Sequence, residues 1–231
     1  MDAPKLSCIV CGSKEFRFKA VLWDELVDDW QISSEERHYI DRQQGEQCVS
    51  CGSNLRSIAL ADAVRNVVSS DDMLTGYLSS PPAHELKILE INEAGSLHSW
   101  LKPLPGHVFA EYPEVDMHAL PYDADCFDIV IHSDTLEHVE NPVHALTECR
   151  RVLKRGGALC FTVPIIVGRM SRTRCGIKPS YHGDPTKNAS DYLVHTEYGA
   201  DAWTQLVQAG FSQIRIFTVE YPSAIAFAAI A

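Results

Sequence analysis

The sequence predicts an α/β protein built on an open, largely parallel sheet with helices on both faces, preceded by a small separate module. Two observations support this prediction. From residue 86 onwards, short apolar runs typical of strands alternate with helical patterns. Before that point, four of the eight cysteines lie in two closely spaced pairs. A chain of 231 residues is long enough for one full domain and one such module.

The composition excludes several classes of protein. With 45% hydrophobic residues the chain is not generally disordered. Its 31 acidic and 20 basic side chains give a formal charge of −11, which repels phosphate backbones and makes nucleic acid an unexpected partner. No run approaches 18 apolar residues, and the first residues lead into no apolar signal segment. We therefore expect no membrane span and a cytoplasmic location.

The paired cysteines predict a metal site. Cys8 and Cys11 form one CxxC turn, Cys48 and Cys51 form a second, and each turn is followed by Gly-Ser. Two such turns bring four thiolates to one ion, the tetrahedral arrangement that suits structural Zn²⁺. Glycine after each turn allows backbone N–H groups to point at the sulfur atoms. Residues 1–56 are therefore predicted to form a zinc-ribbon or zinc-knuckle module with a long excursion between the pairs.

The next stretch, residues 57–82, is predicted to be a helix and a linker. Ser53 or Asn54 can cap a helix whose apolar positions run from Ile58 to Val68. Two serines followed by two prolines at residues 79–82 are typical of a linker. The α/β domain is then expected to occupy residues 83–231.

Within that domain the elements follow in order. Asn141 followed by Pro142 starts a helix that is expected to stop at the glycines 156 and 157. Shorter helices are predicted from residue 97 and around residues 201–208. Strands are expected at residues 86–91, 107–111, 127–132 and 158–163, with a closing antiparallel pair at residues 213–220 and 224–230. Ligands of such a sheet bind at the carboxyl ends of its strands.

Four motifs of the domain resemble those of a known family. They are Leu89-Glu90-Ile91 with Gly95, the run from Leu120 to Val130, Leu136-Glu137-His138-Val139-Glu140-Asn141-Pro142, and Arg151-Val152-Leu153-Lys154-Arg155-Gly156-Gly157. Together they resemble class I S-adenosylmethionine-dependent methyltransferases of the type-11 group, over about residues 86–220. The resemblance implies a Rossmann-like fold. The segment after Glu111 is too short for the helix and strand usual in this family, so the sheet is expected to be shortened between its second and third strands.

The resemblance also implies a binding site for S-adenosylmethionine. Glu111 is expected to accept the ribose hydroxyls, and Asp116 with the Met117 backbone to contact the adenine. Glu90 is expected to orient the glycine loop or to approach the cationic methionine end. The full predicted set is Glu90, Asn92, Glu93, Gly95, Glu111, Asp116, Met117 and Ser133. Because Gly95 is the only glycine of a loop that usually has two or three, an interaction domain that has lost the cofactor is the alternative.

Methyl transfer to a hydroxyl needs a base, or a metal that lowers the pKa of the hydroxyl. His138 is the candidate base. Asp134, Glu137 and His138 share one helical face and could instead hold a divalent cation. Tyr181 and His182, in the loop after the fourth predicted strand, are expected on the acceptor side.

A run of arginines bears on the acceptor. Arg169, Arg172 and Arg174 follow the fourth predicted strand, in a stretch without acidic residues. They could bind a phosphate or carboxylate of the acceptor, or they could lie against the acidic N-terminal module. The predicted function is methyl transfer to a small-molecule or glycan acceptor, which could be anionic. Besides the interaction domain, a methyltransferase acting on RNA or protein through the zinc module is a further alternative.

Overall fold

The computed structural model describes residues 6–181 and 189–231. Its N-terminal part contains a small antiparallel pair, β1 (Phe16–Phe18) and β2 (Glu46–Cys48), which brings the two cysteine pairs together. Two helices lie between these strands, α1 (Asp24–Asp29) and α2 (Ser34–Gly45). The second begins with a capping box, in which Ser33 and Glu36 satisfy each other's backbone N–H groups.

The central sheet has six strands in the order β10-β11-β6-β5-β3-β4. The strands β3 to β6 are parallel, whereas β11 is antiparallel to β6 and β10. Their bounds are β3 (Ile88–Ile91), β4 (His107–Ala110), β5 (Phe127–Ser133), β6 (Leu153–Thr162), β10 (Gln213–Val219) and β11 (Ala224–Ile230). No helix or strand lies between Ala110 and Phe127, a stretch that the structure describes throughout. The predicted Rossmann-like fold with a shortened sheet is confirmed.

Helices cover both faces of this sheet. One face carries α3 (Leu55–Val67), which Asn54 caps and which packs against β6, β10 and β11. With it lie α4 (Leu74–Leu78), α5 (Pro81–His84) and α6 (His98–Leu101). The other face carries α7 (Pro142–Val152) and α8 (Thr204–Gln208). No helix among the described residues is long and apolar enough to cross a membrane.

The stretch predicted to be a linker, residues 79–82, includes the start of a helix. Pro81 and Pro82 occupy the first turn of α5, where a proline loses no helical hydrogen bond. One local prediction was wrong. The helix expected to stop at the glycines 156 and 157 ends at Val152, and β6 begins at the next residue. Gly156, at φ +79°, lies instead within β6, where the register with β5 shifts between Leu153 and Ala158.

A second, three-stranded sheet stands at the carboxyl end of β6. It consists of β7 (Ile165–Ile166), β9 (Thr196–Gly199) and β8 (Arg172–Thr173), in that order. Apolar residues of α1 and α2, including Leu26, Trp30 and Ile40, pack against Ile166 of β7 and form a third hydrophobic cluster. The segment between the cysteine pairs is therefore held over the carboxyl edge of the main sheet.

Candidate active site

A cavity of about 730 Å³ opens at the carboxyl ends of β3, β4 and β5. This is the place where open α/β sheets bind their ligands. Six of the eight residues expected to bind the cofactor line it: Asn92, Glu93, Glu111, Asp116, Met117 and Ser133. The structure thus brings together most of the predicted set, and Glu90 and Gly95 are the two that do not line the cavity.

Glu90 lies under the loop rather than in the cavity. Its side chain is fully buried, and Oε1 accepts a hydrogen bond from the Ala94 N–H at 2.8 Å. Oε2 lies 2.9 Å from Nδ1 of His98 and 2.7 Å from Nε2 of His107. A buried carboxylate needs such partners, because burial without them is costly. Glu90 therefore orients the loop, and the sequence pattern did not reveal its two histidine partners.

Gly95 is required by packing against α3. Its φ is +55°, and a Cβ at this position would lie 2.8 Å from Oγ of Ser57. The next residue continues the contact: the Ser96 N–H donates to Ser57 Oγ at 3.3 Å, and Ser96 Oγ donates to Ser53 Oγ at 2.8 Å. The loop is anchored on the N-terminus of α3, which explains a glycine at this one position.

Asn92 ties three elements together at the floor of the cavity. It adopts φ +52°, a left-handed conformation that asparagine tolerates better than most residues. Its Oδ1 accepts from the Tyr112 N–H at 3.0 Å, and its Nδ2 donates to Thr135 Oγ1 at 3.3 Å. These bonds fix the relative positions of the segments that follow β3, β4 and β5.

The far end of the cavity holds the carboxylates expected to contact ribose and adenine. Glu111 is exposed at the cavity wall. Asp116 Oδ1 accepts hydrogen bonds from the backbone N–H and from Nδ1 of His118, both at 2.8 Å. Burial opposes ionisation of Asp116, but the bonds from His118 outweigh it and hold its pKa below the usual value. Asp116 is therefore an ionised, oriented acceptor.

A second cavity, of about 390 Å³, adjoins the first. The two share Asp134, His138 and Tyr192 as lining residues. Most of the second wall is apolar and comes from the segment between the cysteine pairs and from the start of β7. The two cavities therefore adjoin, one over the strand ends and the other beside it.

His138 lies where the two cavities meet, and its hydrogen bond shows which of its ring nitrogens is basic. Its Nδ1 lies 3.1 Å from the Leu193 carbonyl oxygen, which can only accept, so Nδ1 carries the proton and Nε2 has the free lone pair. Burial lowers the pKa of His138, which keeps the ring neutral at neutral pH. Glu137 is buried, and its Oε1 lies 3.8 Å from Nε2 of His138. Burial and the nearby Asp134 carboxylate raise the pKa of Glu137 well above its usual value.

The alternative in which Asp134, Glu137 and His138 hold a divalent cation finds no support in the arrangement of the described side chains. Asp134 Oδ1 pairs with Nη1 of Arg56 at 2.7 Å. Within the described residues, side chains converge closely enough to hold a metal at two places, the four paired cysteines and the set of Glu90, His98 and His107. Asp134, Glu137 and His138 are not such a set, so His138 is better placed as a base than as a metal ligand.

Of the two remaining predicted catalytic residues, the structure describes one, and it is not part of this geometry. Tyr181 is 49% exposed and lines neither cavity; its backbone forms a bridge with Leu193. His182 lies outside the described residues.

The arginines of the loop pair with acidic residues of the chain. Arg169 binds both oxygens of Glu36 at 2.8 Å and donates to the carbonyl oxygens of Trp30 and Gln31. Arg172 and Arg174 both pair with the buried Glu197, and Arg174 also lies 3.5 Å from Asp29 of α1. The alternative in which the arginines lie against the N-terminal module therefore describes Arg169 and Arg174, which are held by acidic residues of the chain.

The four paired cysteines have the geometry of a tetrahedral site. The Sγ atoms of Cys8 and Cys51 are 3.6 Å apart, as are those of Cys11 and Cys48. Zinc–sulfur bonds of about 2.3 Å would place ligand sulfurs about 3.8 Å apart. Burial opposes ionisation of Cys48, but backbone N–H groups of the second turn outweigh it and lower its pKa to about 7. The donor set and its spacing fit Zn²⁺.

The class of the domain follows from topology, site and family together. Residues 48–161 match the family described as a methyltransferase domain, which confirms the resemblance seen in the motifs. This match, together with the sheet topology, gives the matched segment the fold of a methyltransferase domain. No curated protein sequence matches the chain significantly.

Solved structures similar to this chain carry related descriptions. A Thermotoga maritima protein described as an S-adenosylmethionine-dependent methyltransferase, possibly a histamine N-methyltransferase, is 17% identical, with a TM-score of 0.46 over 76% of this chain and 89% of its own. A Nostoc punctiforme protein described as a putative O-methyltransferase is 13% identical, with a TM-score of 0.44 over 89% and 68%. A putative methyltransferase from Bacillus halodurans is 18% identical, with a TM-score of 0.37 over 62% and 71%.

Proposed function

We propose that this protein transfers a methyl group from S-adenosylmethionine to a small acceptor molecule. The observation that carries the proposal is the pair of adjoining cavities at the strand ends, with six expected cofactor residues in the larger one and His138 between the two. When bound, the cofactor supplies a methyl group that its sulfonium already activates. The protein then has to bind, align and deprotonate the acceptor.

The residues of the larger cavity fit the cofactor by their chemistry. Glu111 offers a carboxylate that can accept both hydroxyls of a ribose. Asp116, held ionised by His118, can accept from an adenine amino group beside Met117. The backbone around Asn92, Glu93 and Ser133 lines the end nearest the second cavity, where the methionine portion would lie.

His138 is the proposed general base. Its Nε2 lone pair is free to accept a proton from an acceptor hydroxyl or amine, because the Leu193 carbonyl holds the proton on Nδ1. Positioned bases of this kind contribute about 10²- to 10⁴-fold to a rate.

We further propose that Cys8, Cys11, Cys48 and Cys51 bind one structural Zn²⁺ in a module formed by residues 1–56. The two turns are built alike, with Gly12 and Gly52 donating to the carbonyls of Cys8 and Cys48 at 2.6 and 2.9 Å. All four positions of a tetrahedral ion would be filled by protein, which leaves none for a substrate.

Calorimetry with S-adenosylhomocysteine tests the cofactor site. Glu111→Ala should weaken its binding by about 1.5–3 kcal/mol, the range for hydrogen bonds to a charged group. Glu85→Ala, which removes an exposed carboxylate outside both cavities, is the matched control and should bind like the wild type. Absence of binding to the wild-type chain would favour an interaction domain that has lost the cofactor, and equal affinities of the two variants would contradict the place given to Glu111.

A further inference from the structure

The segment between the cysteine pairs builds a binding wall that the family match does not include. The match begins at residue 48, whereas the second cavity is lined by Leu22, Leu26, Trp30 and Ile40 from this segment. These side chains face Ile165 and Ile166, the two residues of β7, which follows the end of β6 in the main sheet.

Several long-range bonds keep this wall rigid. Arg169 lies in the turn that follows β7. Its guanidinium donates hydrogen bonds to Glu36 of α2 and to the Trp30 carbonyl oxygen. The Trp30 indole N–H donates to Ser180 Oγ at 3.0 Å, and the Arg174 guanidinium lies 5.1 Å from the centre of its ring. A wall fixed in this way can recognise a flat apolar molecule by shape, because little ordering is needed on binding.

The polar end of the second cavity offers hydrogen-bond donors and a base, but its one cationic side chain is already paired. Arg56 is the one lysine or arginine among the described lining residues, and it already pairs with Asp134 at 2.7 Å and donates to Gln43 at 3.1 Å. Oε2 of Glu137 is buried and has no hydrogen-bond partner among the described residues. Because its pKa is raised, this carboxyl keeps its proton and can donate to an uncharged oxygen or nitrogen.

We propose that the second cavity is the acceptor site and that its acceptor is an uncharged aromatic molecule with a hydroxyl or amine group. The ring would lie between α1, α2 and β7, and the polar group would lie between Glu137 and His138. For a hydroxyl, its oxygen forms the bond to the methyl carbon as the carbon–sulfur bond breaks, the electron pair stays on sulfur, and the hydroxyl proton passes to Nε2 of His138. This assignment rests on the proposed methyl transfer, and it differs from the alternative in which the acceptor is anionic.

Binding of 2-naphthol and of 2-naphthyl phosphate to the full chain tests the proposal. Both share one ring system, and calorimetry with and without S-adenosylhomocysteine measures their affinities. We expect 2-naphthol to bind at least about tenfold more tightly than its phosphate ester, because the ester would bring a charge into a cavity without a free cation. Equal or tighter binding of the ester would overturn the proposal. If S-adenosylhomocysteine binds and neither naphthalene compound does, only the acceptor assignment fails; if it does not bind, the proposed function fails as well.

Two tryptophan variants connect the affinity to the cavity. Trp23 lines the second cavity and is 49% exposed, so Trp23→Ala should fold. It should weaken 2-naphthol binding about three- to tenfold, the effect of losing one aromatic contact, and leave S-adenosylhomocysteine binding unchanged. Trp203→Ala removes an equally large side chain, 41% exposed and outside both cavities, and should change neither affinity. Equal 2-naphthol affinities in the two variants would contradict the proposed site.

Discussion

Substitution of Gly95 should reveal that this glycine serves the packing of the loop on α3. Gly95→Ala forces an L-residue to adopt φ +55° and places its Cβ 2.8 Å from Ser57 Oγ. The left-handed conformation costs about 1–2 kcal/mol, and overpacking against a buried neighbour costs about 1–3 kcal/mol. We therefore expect a loss of about 2–5 kcal/mol in the free energy of unfolding.

Removing the Ser57 hydroxyl should restore part of the lost free energy of unfolding. Ser57→Ala alone gives up the hydrogen bond from the Ser96 N–H, about 0.5–1.5 kcal/mol. In that background the clashing oxygen is gone, so Gly95→Ala should cost only the conformational part, about 1–2 kcal/mol. The double variant should then be more stable than the sum of the single effects by about 1–3 kcal/mol, a coupling within the range of contacting residues.

Urea unfolding of the wild type, the two single variants and the double variant, at one pH and temperature, measures this coupling. Gly76→Ala is the control, because Gly76 lies in α4 and its Cβ would meet no atom closer than 3.9 Å. That variant should be unchanged or more stable by up to about 1 kcal/mol. Strict additivity of Gly95→Ala and Ser57→Ala, or a cost at Gly95 no greater than at Gly76, would refute the packing explanation.

Three further predictions concern the metal, the loop and the pH dependence. Cys48→Ser should lose the one Zn²⁺ per chain that elemental analysis of the wild type should find, and a metal-free wild type that remains fully folded would contradict the site. Arg169→Gln should cost about 1–3 kcal/mol in urea unfolding at pH 7. Hydrogen bonds from Arg169, the largest cause, together with those from Ser33 lower the pKa of Glu36 from 4.5 to about 2 against the effect of burial. The difference in stability should therefore be complete above about pH 5 and shrink as pH falls towards 2; a constant difference would exclude the ion pair as its source. Glu137→Gln should become more stable relative to the wild type as pH rises above about 4.5, since only the unfolded wild type then releases the proton, and parallel pH profiles would contradict a protonated Glu137.

Local signals were sufficient to predict the central sheet. Each parallel strand is a short apolar run. The start of α7 has its own local signal, because the Asn141 side chain caps the helix and Pro142 occupies its first position. The end of the same helix could not be predicted as well. Gly156 and Gly157 mark a turn, but the apolar Leu153 joins the sheet beside Phe127 and begins the strand earlier.

The features that the sequence did not reveal depend on partners far apart in the chain. Glu36 and Arg169 are separated by 133 residues, and neither position carries a local sign of the other. The small sheet β7-β9-β8 has strands of two to four residues, too short for a periodic pattern. The histidines that hold Glu90 were likewise invisible, because they begin two different elements, α6 and β4.

The N-terminal module lines the second cavity and is linked by hydrogen bonds to the loop that follows β3, so it cannot be treated as an appendage of the sheet. On one side, Cys51 Sγ lies 3.2 Å from Ser53 Oγ, and Ser53 in turn accepts from Ser96 in the cofactor loop. On the other side, the segment between the cysteine pairs forms the acceptor wall and is fixed by Arg169. A metal bound by the two cysteine turns would therefore also fix the distance between the loop that follows β3 and the wall of the second cavity. Since methyl transfer depends on alignment more than on chemical activation, a structural ion at this place can influence the rate without contacting either reactant.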